Sequence, residues 1–393
     1  MSTTLDSRKK LHMLPLAGMK GKRVLIRADF DVEVKNGKIV DDFRIKKVLP
    51  TIQDCLRHGG RVRIISHMGR PDGRRDAGLT LRPVAQHLER LLKRRVLFIS
   101  DPFEKTMREQ YGASDRLLLF ENIRFWPEEK QNSSRFAIKL AQWGDLYVNE
   151  AFANSHRADA SMVALAHQLP AYMGRSLQSE VQYLGIVRDR PKHPFVAILG
   201  GAKLETKMPL LRRFLKTADA VIIGGVLANT IYALEGEEIG KSKSDTNVGF
   251  DPSALLRNKK LHVPTDVVVA NSLRESAPLT VKTLGAVGAH EYIVDIGYQS
   301  IGHFSSLLKN AAMIVWNGPF GYTEVPEFAK GTKSLARAIA RTTAFTVVGG
   351  GDTITAVGAR MLLRTFTHVS TGGGAMLEFL SGEKLPAIEA LKR

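Results

Sequence analysis

Strand-sized apolar runs alternate with helix-sized amphipathic segments along the whole of this 393-residue chain. In the first half the runs are residues 23–27, 61–65, 95–99, 117–120 and 145–148. In the second half they are residues 195–199, 220–223, 266–269, 292–295, 313–316, 345–348 and 367–369. Between most of them lie segments with apolar residues at helical spacing, such as residues 81–92 and 328–341. A strand reaches a parallel neighbour only through a crossover, usually a helix, so the alternation predicts α/β layers built on parallel sheets. Ligands in such sheets sit in crevices outside the carboxyl ends of the strands.

The chain is longer than one core usually fills, so two domains are expected. Residues 173–189 read as one continuous helix, after which Pro191 and Pro194 punctuate the chain, and the connector is placed there. The expected boundaries are 1–172 with a tail at 379–393 for the first domain, 173–190 for the connecting helix and 191–378 for the second domain. The last stretch carries the apolar set Leu385, Ile388 and Leu391. The longest apolar stretches, such as residues 195–199, are strand-sized, so no membrane span is expected. The N-terminus carries no apolar core of a secretory signal, and the single cysteine, Cys55, reads as a packed thiol in a reducing compartment, the cytoplasm.

Residues able to do chemistry cluster where strand runs end, and the clusters differ between the halves. The first half holds Arg27-Ala-Asp29-Phe30-Asp31, Ser66-His67-Met68-Gly69-Arg70-Pro71, Glu121-Asn122-Ile123-Arg124-Phe125 and a run from Asn149 to Arg157 with Glu150, Asn154 and His156. Arg44 adds a cation before a helical segment. Arginine forks suit small multivalent anions such as phosphates and carboxylates. Any single arginine is more often a surface ion pair; repetition at strand exits is what favours one cleft. The second half holds Gly200-Gly201-Ala202-Lys203, Gly224-Gly225, Gly349-Gly350-Gly351-Asp352-Thr353 and Thr371-Gly372-Gly373-Gly374. Glycine turns that lead into helices let backbone N–H groups cradle phosphates. Lys203 and Lys207 stand four apart, on one face if the segment is helical. Asp352 at a helix start suits either a cap or Mg²⁺, which takes one or two carboxylates plus substrate phosphates. Two anion sites of different chemistry point to group transfer between a small acid and a nucleotide. No general base stands beside a hydroxyl nucleophile in these motifs, which suits an acceptor that is already an anion.

Taken together, these motifs, with Trp316-Asn317-Gly318-Pro319-Phe320-Gly321 and His368-Val369-Ser370, make the chain resemble the phosphoglycerate kinases over essentially its full length. The resemblance implies two Rossmann-like domains with parallel sheets joined by a hinge helix, and a C-terminal tail returning to the first domain. It implies reversible phosphoryl transfer between 1,3-bisphosphoglycerate and ADP, giving 3-phosphoglycerate and Mg-ATP, by a monomer that closes about its hinge. Carried over by position, Asp29, Phe30, Asp31, Arg44, His67, Met68, Gly69, Arg70, Arg124 and Arg157 would hold phosphoglycerate. Arg44 and Lys203 would neutralise the group in flight, with Gly351 and Gly373 giving backbone N–H donors. Lys203, Lys207, Asn317, Glu324, Gly350, Gly351, Asp352 and Thr353 would hold the nucleotide, Glu324 at the ribose and Asp352 on the Mg²⁺.

The pattern departs from the family at several positions. Asp31 stands where Asn is usual, Glu33 where Pro is usual, Glu150 for Asp, Asp159 for His, and Val226 where a third Gly often lies beside the adenine. A carboxylate at 31 repels an anionic substrate unless it pairs with a neighbouring Arg or binds a proton. That leaves a kinase of a different small acid as one alternative. The net charge of +18 and pI of about 9.9 raise another, a basic protein that binds polyanions with weak catalysis. The basic residues are spread out and lack aromatic interleaving, so nucleic acid is not the expected partner.

Overall fold

A computed structural model describes residues 10–202, 204–245, 255–358 and 360–392. The chain forms two compact units, Met1–Gln182 with Lys384–Arg393, and Tyr183–Glu383.

Unit 1 is built on six strands: β1 (Arg23–Arg27), β2 (Arg61–Ile65), β3 (Val96–Ile99), β4 (Leu117–Phe120), β5 (Leu146–Asn149) and β6 (Ala171–Met173). They run parallel in the order β3-β4-β2-β1-β5-β6. Alternate residues Val24, Ile26, Val62, Ile64, Leu117, Leu119 and Val148 turn to one core face. There they meet Ile45, Val48, Ile52 and Cys55 of helix α1 (Phe43–Arg57), spaced three or four apart so that they share a helix face. Burial pushes the Cys55 thiol up to about 12, as suits a packed thiol. In register, Arg27 lies beside Ile65 of β2 and Asn149 of β5. Residues 28–31, 66–70 and 150–157 therefore leave the sheet at one edge. The tail returns to this unit: Leu385, Ile388 and Leu391 are buried, Ala387 N–H donates to Ser155 O, and Leu11 bridges to Lys392.

The continuous helix expected over 173–189 starts later. Met173 ends β6, in register with Asn149, and helix α2 spans Arg175–Asp189. Glu150 sets the start, because its Oε2 accepts from the amides of Ser176 (2.8 Å) and Leu177 (3.2 Å). Gly174 makes room for it; a Cβ there would lie 2.2 Å from Glu150 Oε1.

Among the described residues unit 2 holds nine strands: β7 (Phe195–Leu199), β8 (Ala220–Ile223), β9 (Leu261–His262), β10 (Asp266–Ala270), β11 (Thr280–Thr283), β12 (Tyr292–Ile296), β13 (Met313–Asn317), β14 (Phe345–Gly349) and β15 (His368–Ser370). Six form a parallel sheet in the order β9-β8-β7-β13-β14-β15, so the winding reverses between β7 and β13. The other three form a separate antiparallel sheet, β11-β10-β12. The runs at 266–269 and 292–295 were expected in parallel sheets. They pair antiparallel instead, with the largely exposed strand Thr-Val-Lys-Thr of β11 completing a small sheet of its own. Helices α3 (Met208–Thr217), α4 (Val226–Leu234), α5 (Lys330–Ala340), α6 (Gly351–Val357) and α7 (Gly374–Ser381) pack around the parallel sheet or open from its strand exits. Among the described residues no helix is long and apolar enough to cross a membrane.

Candidate active site

In unit 1 the strand exits converge. Asp29 is buried and its Oδ2 accepts from Arg44 Nη1 at 2.9 Å. The Asp29 carboxylate, with Asp31 adding to it, raises the Arg44 guanidinium pKa, so the cation is secure. His67 is buried between Arg27 Nη2, 3.2 Å from its Nδ1, and the Asn154 side-chain amide, 3.4 Å from its Nε2. Burial, then Arg27, Arg124, Arg44 and Lys130, drive its pKa well below the ordinary value and leave it neutral. Arg124 Nη1 donates to Gly69 O at 2.8 Å, and its Nε is buried without a partner. Phe30 and Met68 are packed in the core beneath these groups, Gly69 takes the left-handed φ of +62° that turns the loop, and Arg70 is exposed. Arg157 is half-buried beside His156.

The two unusual carboxylates are both engaged. Asp31 Oδ1 accepts from Gly69 N–H at 2.8 Å, and its Oδ2 lies 3.7 Å from His67 Nε2. A backbone amide holds it, in addition to the field of Arg44. Asp159 is buried against Lys130 Nζ (3.2 Å) and Arg124 Nη2 (3.5 Å). Lys130 escaped the sequence reading because Glu128-Glu129-Lys130 looks like a solvated charge run. Asn154 was visible only as part of its motif.

In unit 2 the glycines do steric work where the winding reverses. Gly318 has φ +92°, and a Cβ on it would lie 2.0 Å from Gly200 O. Asn317 Nδ2 donates to Gly349 O at 3.1 Å, and Gly318 N–H donates to Thr353 Oγ1 at 2.7 Å. Thr353 is buried, so its hydroxyl ties the β13 exit to α6. Gly350 and Gly373, with φ +99° and +48°, cap α6 and α7 and leave Gly351 at the first turn of α6. Lys203 lies outside the described residues. Lys207 does not lie on a helical face as the spacing suggested; it sits in the turn before α3, whose second residue is Pro209. That turn brings its Nζ against Gly201, where a Cβ would lie 2.9 Å away.

A cavity of about 330 Å³ opens beside these turns. Its walls include Gly201, Gly225, Val226, Glu324 and Asp352, five positions the sequence motifs single out. Tyr232, Tyr292, Phe320 and Asp295 also line it and were missed. Only Phe320 stood in a quoted motif; the others come from α4 and the antiparallel sheet, whose placement needs the fold. Asp295 is buried, accepts from Gly331 N–H at 2.6 Å and Ile296 N–H at 2.9 Å, and is raised by burial to about 7. Asp352 and Glu324 are exposed at the cavity wall, free to meet a ligand. Among the described residues no group of three or more His, Cys, Asp or Glu could hold a metal unaided.

The comparisons with known proteins agree with this geometry. A family model described as phosphoglycerate kinase matches residues 15–383. The phosphoglycerate kinase of Moorella thermoacetica is 42% identical over 380 residues, covering 95% of this chain and 97% of that one. That of Coprothermobacter proteolyticus is 40% identical over 390 residues, covering 97% and 99%. Among solved structures, phosphoglycerate kinase from Coxiella burnetii superposes with a TM-score of 0.81 at 40% identity, covering 95% and 96%. The enzyme from Pyrococcus horikoshii gives 0.83 at 31%, covering 97% and 98%. By sequence motif, fold and these likenesses, the chain belongs to the phosphoglycerate kinase family.

Proposed function

We propose that the two units divide one reaction between a side-chain anion site and a backbone nucleotide site. The activity that goes with the family is reversible phosphoryl transfer between 1,3-bisphosphoglycerate and ADP, giving 3-phosphoglycerate and ATP, with a carboxyl group as acceptor. The observation that carries the reading is the pairing of two unlike half-sites. Arg44, His67 and Arg124 gather at one strand edge of unit 1, and Gly201, Glu324 and Asp352 line one cavity in unit 2.

In this reading 3-phosphoglycerate binds on Asp29, Asp31, His67, Arg70, Arg124 and Arg157, with Gly69 shaping the loop. Arg44, held by Asp29, supplies positive charge where the transferring group carries most negative charge. Lys203 and the amides of Gly351 and Gly373 are the donors that unit 2 contributes to the same group in this reading. Glu324 meets the ribose, and Lys207 and Asn317 stand near the phosphates. Asp352 is a single exposed hard-oxygen donor, which fits Mg²⁺ carried in by nucleotide phosphates. Mg²⁺ bound there supplies neutralisation of phosphate charge. An anionic carboxylate acceptor needs no general base, so positioning and charge do the work. Closure of the units about α2 to expel water, a monomeric state and action in the cytoplasm belong to the same reading and rest on the family resemblance.

The test is turnover of Mg-ATP and 3-phosphoglycerate, coupled to glyceraldehyde-3-phosphate dehydrogenase and read as NADH loss. Robust oxidation is expected, with Arg44→Ala and Asp352→Ala each slower by about 100-fold. Silence with 3-phosphoglycerate but turnover of another small acid would shift the reading to a related acid kinase. Silence with all acids would overturn it.

A further inference from the structure

Four buried side chains behind the unit 1 site form a chain whose polarity is fixed by chemistry. Arg27, Ser161 and Glu129 are each fully enclosed. Arg27 Nε donates to Ser161 Oγ at 2.7 Å, and Arg27 Nη1 donates to Ala28 O at 2.5 Å. Having accepted from a guanidinium, the Ser161 hydroxyl turns its own proton to Glu129 Oε1 at 2.6 Å. Glu129 Oε2 accepts from Ser161 N–H at 2.9 Å. The fourth member is His67, whose Nδ1 lies 3.2 Å from Arg27 Nη2.

Arginine has five donors and no acceptor. The Nδ1 facing it must therefore present a lone pair, since an Nδ1–H there would set donor against donor. Because the imidazole is neutral, its one proton sits on Nε2. We propose that Glu129, Ser161 and Arg27 are positioning residues that hold His67 as the Nε2–H tautomer, with that proton aimed at the phosphoglycerate pocket. The side-chain amide of Asn154 is the neighbour on the Nε2 side. Asn154 Oδ1 is buried without a partner while its Nδ2 faces His67 Nε2 at 3.4 Å. The proposed tautomer goes with the exchanged amide, in which Oδ1 accepts from Nε2–H and Nδ2 takes the position Oδ1 holds here. Asp31 Oδ2 lies 3.7 Å from Nε2, too far for a hydrogen bond but near enough to feel the positive end of the N–H dipole. The same proton thus helps retain a carboxylate at a position where the family usually has an amide. A substrate oxygen entering between Asp31 and Asn154 meets a donor of fixed direction.

The role of the proton rests on the phosphoglycerate reading; its position does not. Ring-¹⁵N-labelled histidine in the full chain, read by long-range ¹H–¹⁵N NMR without ligand, reports the tautomer directly. His67 is assigned by its loss in His67→Asn. The expected spectrum shows Nε2 protonated and Nδ1 bare. Arg27→Met should abolish the single tautomer and raise the KM for 3-phosphoglycerate about tenfold, with the KM for Mg-ATP within about twofold. Ser161→Ala should move both readouts the same way by a smaller factor, and Ser161→Thr, which keeps the hydroxyl, should restore them. An Nδ1–H tautomer or an imidazolium in the parent protein overturns the proposal even if no variant folds. So do folded Arg27→Met and Ser161→Ala proteins with an unchanged tautomer. A correct tautomer in a protein that turns over no 3-phosphoglycerate would instead count against the function and leave the positioning network standing.

Discussion

Unit 1 holds charge with side chains, and unit 2 shapes its site with backbone. In unit 1 the three carboxylates named at the pocket each have a donor: Asp29 has Arg44, Asp159 has Lys130 and Arg124, and Asp31 has the Gly69 amide. Such a site can change residue by residue, because a new carboxylate needs only a donor in reach. Asp31 and Asp159 are two cases where it has one. In unit 2 the critical approaches are between main chains, Gly318 against Gly200 and Gly225 against Gly201, where a single methyl has nowhere to go. The first kind of site tolerates drift in charge. The second tolerates no added atom at Gly318 or Gly225.

The contrast is broken most forcefully at Gly318. Gly318→Ala combines a disallowed φ with a Cβ 2.0 Å from Gly200 O, so it should destabilise by about 4 kcal/mol or more. A thermal melt should show the transition lowered by about 10 °C, with nucleotide affinity lost. A melt unchanged from the parent would mean that the β7–β13 approach is not tight.

A pH series sharpens the cost of using side chains. Glu150 is fully buried, and burial raises its carboxyl to about 7 from an ordinary 4.5, although it caps α2. A carboxyl raised on folding binds more protons folded than unfolded, so its contribution is greatest below pH 4.5 and is lost as pH rises through about 7. Relative to Glu150→Gln, the parent should lose on the order of 3 kcal/mol between those limits. Urea unfolding at pH 5 and pH 8 measures it; parallel pH profiles for the two proteins would contradict the shift. The smallest effect belongs to Asp31→Asn. Its carboxylate is already held by Gly69 N–H, so stability should move within about 0.5 kcal/mol and the KM for 3-phosphoglycerate within about threefold. A tenfold gain in affinity would show that Asp31 repels substrate after all.

What the sequence made legible was local. Dense β-branched runs followed by Arg, His or Gly clusters announced the parallel strands and the edge where the chemistry gathers, and Leu385, Ile388 and Leu391 announced a tail with a face to bury. What it hid was either too short or too distant. β6 has three residues between Pro170 and Gly174, too few for any period. β11 reads as a polar loop until β10 pairs with it. Lys130 and Asp159 are 29 residues apart, and no local pattern says that they meet. Glu150 appears in a motif of active-site character, yet its carboxylate starts α2. Lys207 has helical spacing from Lys203 but lies in a turn, because local spacing does not say where a helix begins.

The most direct measurement is calorimetric titration of 3-phosphoglycerate and of Mg-ADP, each separately, into the parent protein, Arg124→Gln and Gly350→Ala. Arg124 bears on the side-chain site through Gly69 and Asp159, and Gly350 on the backbone site through its φ of +99° and its approach to Asn317. The account predicts a mirror pattern. Arg124→Gln weakens 3-phosphoglycerate at least about tenfold and leaves Mg-ADP within about twofold, while Gly350→Ala does the reverse. Either variant weakening both ligands equally would contradict the division of labour between the two units.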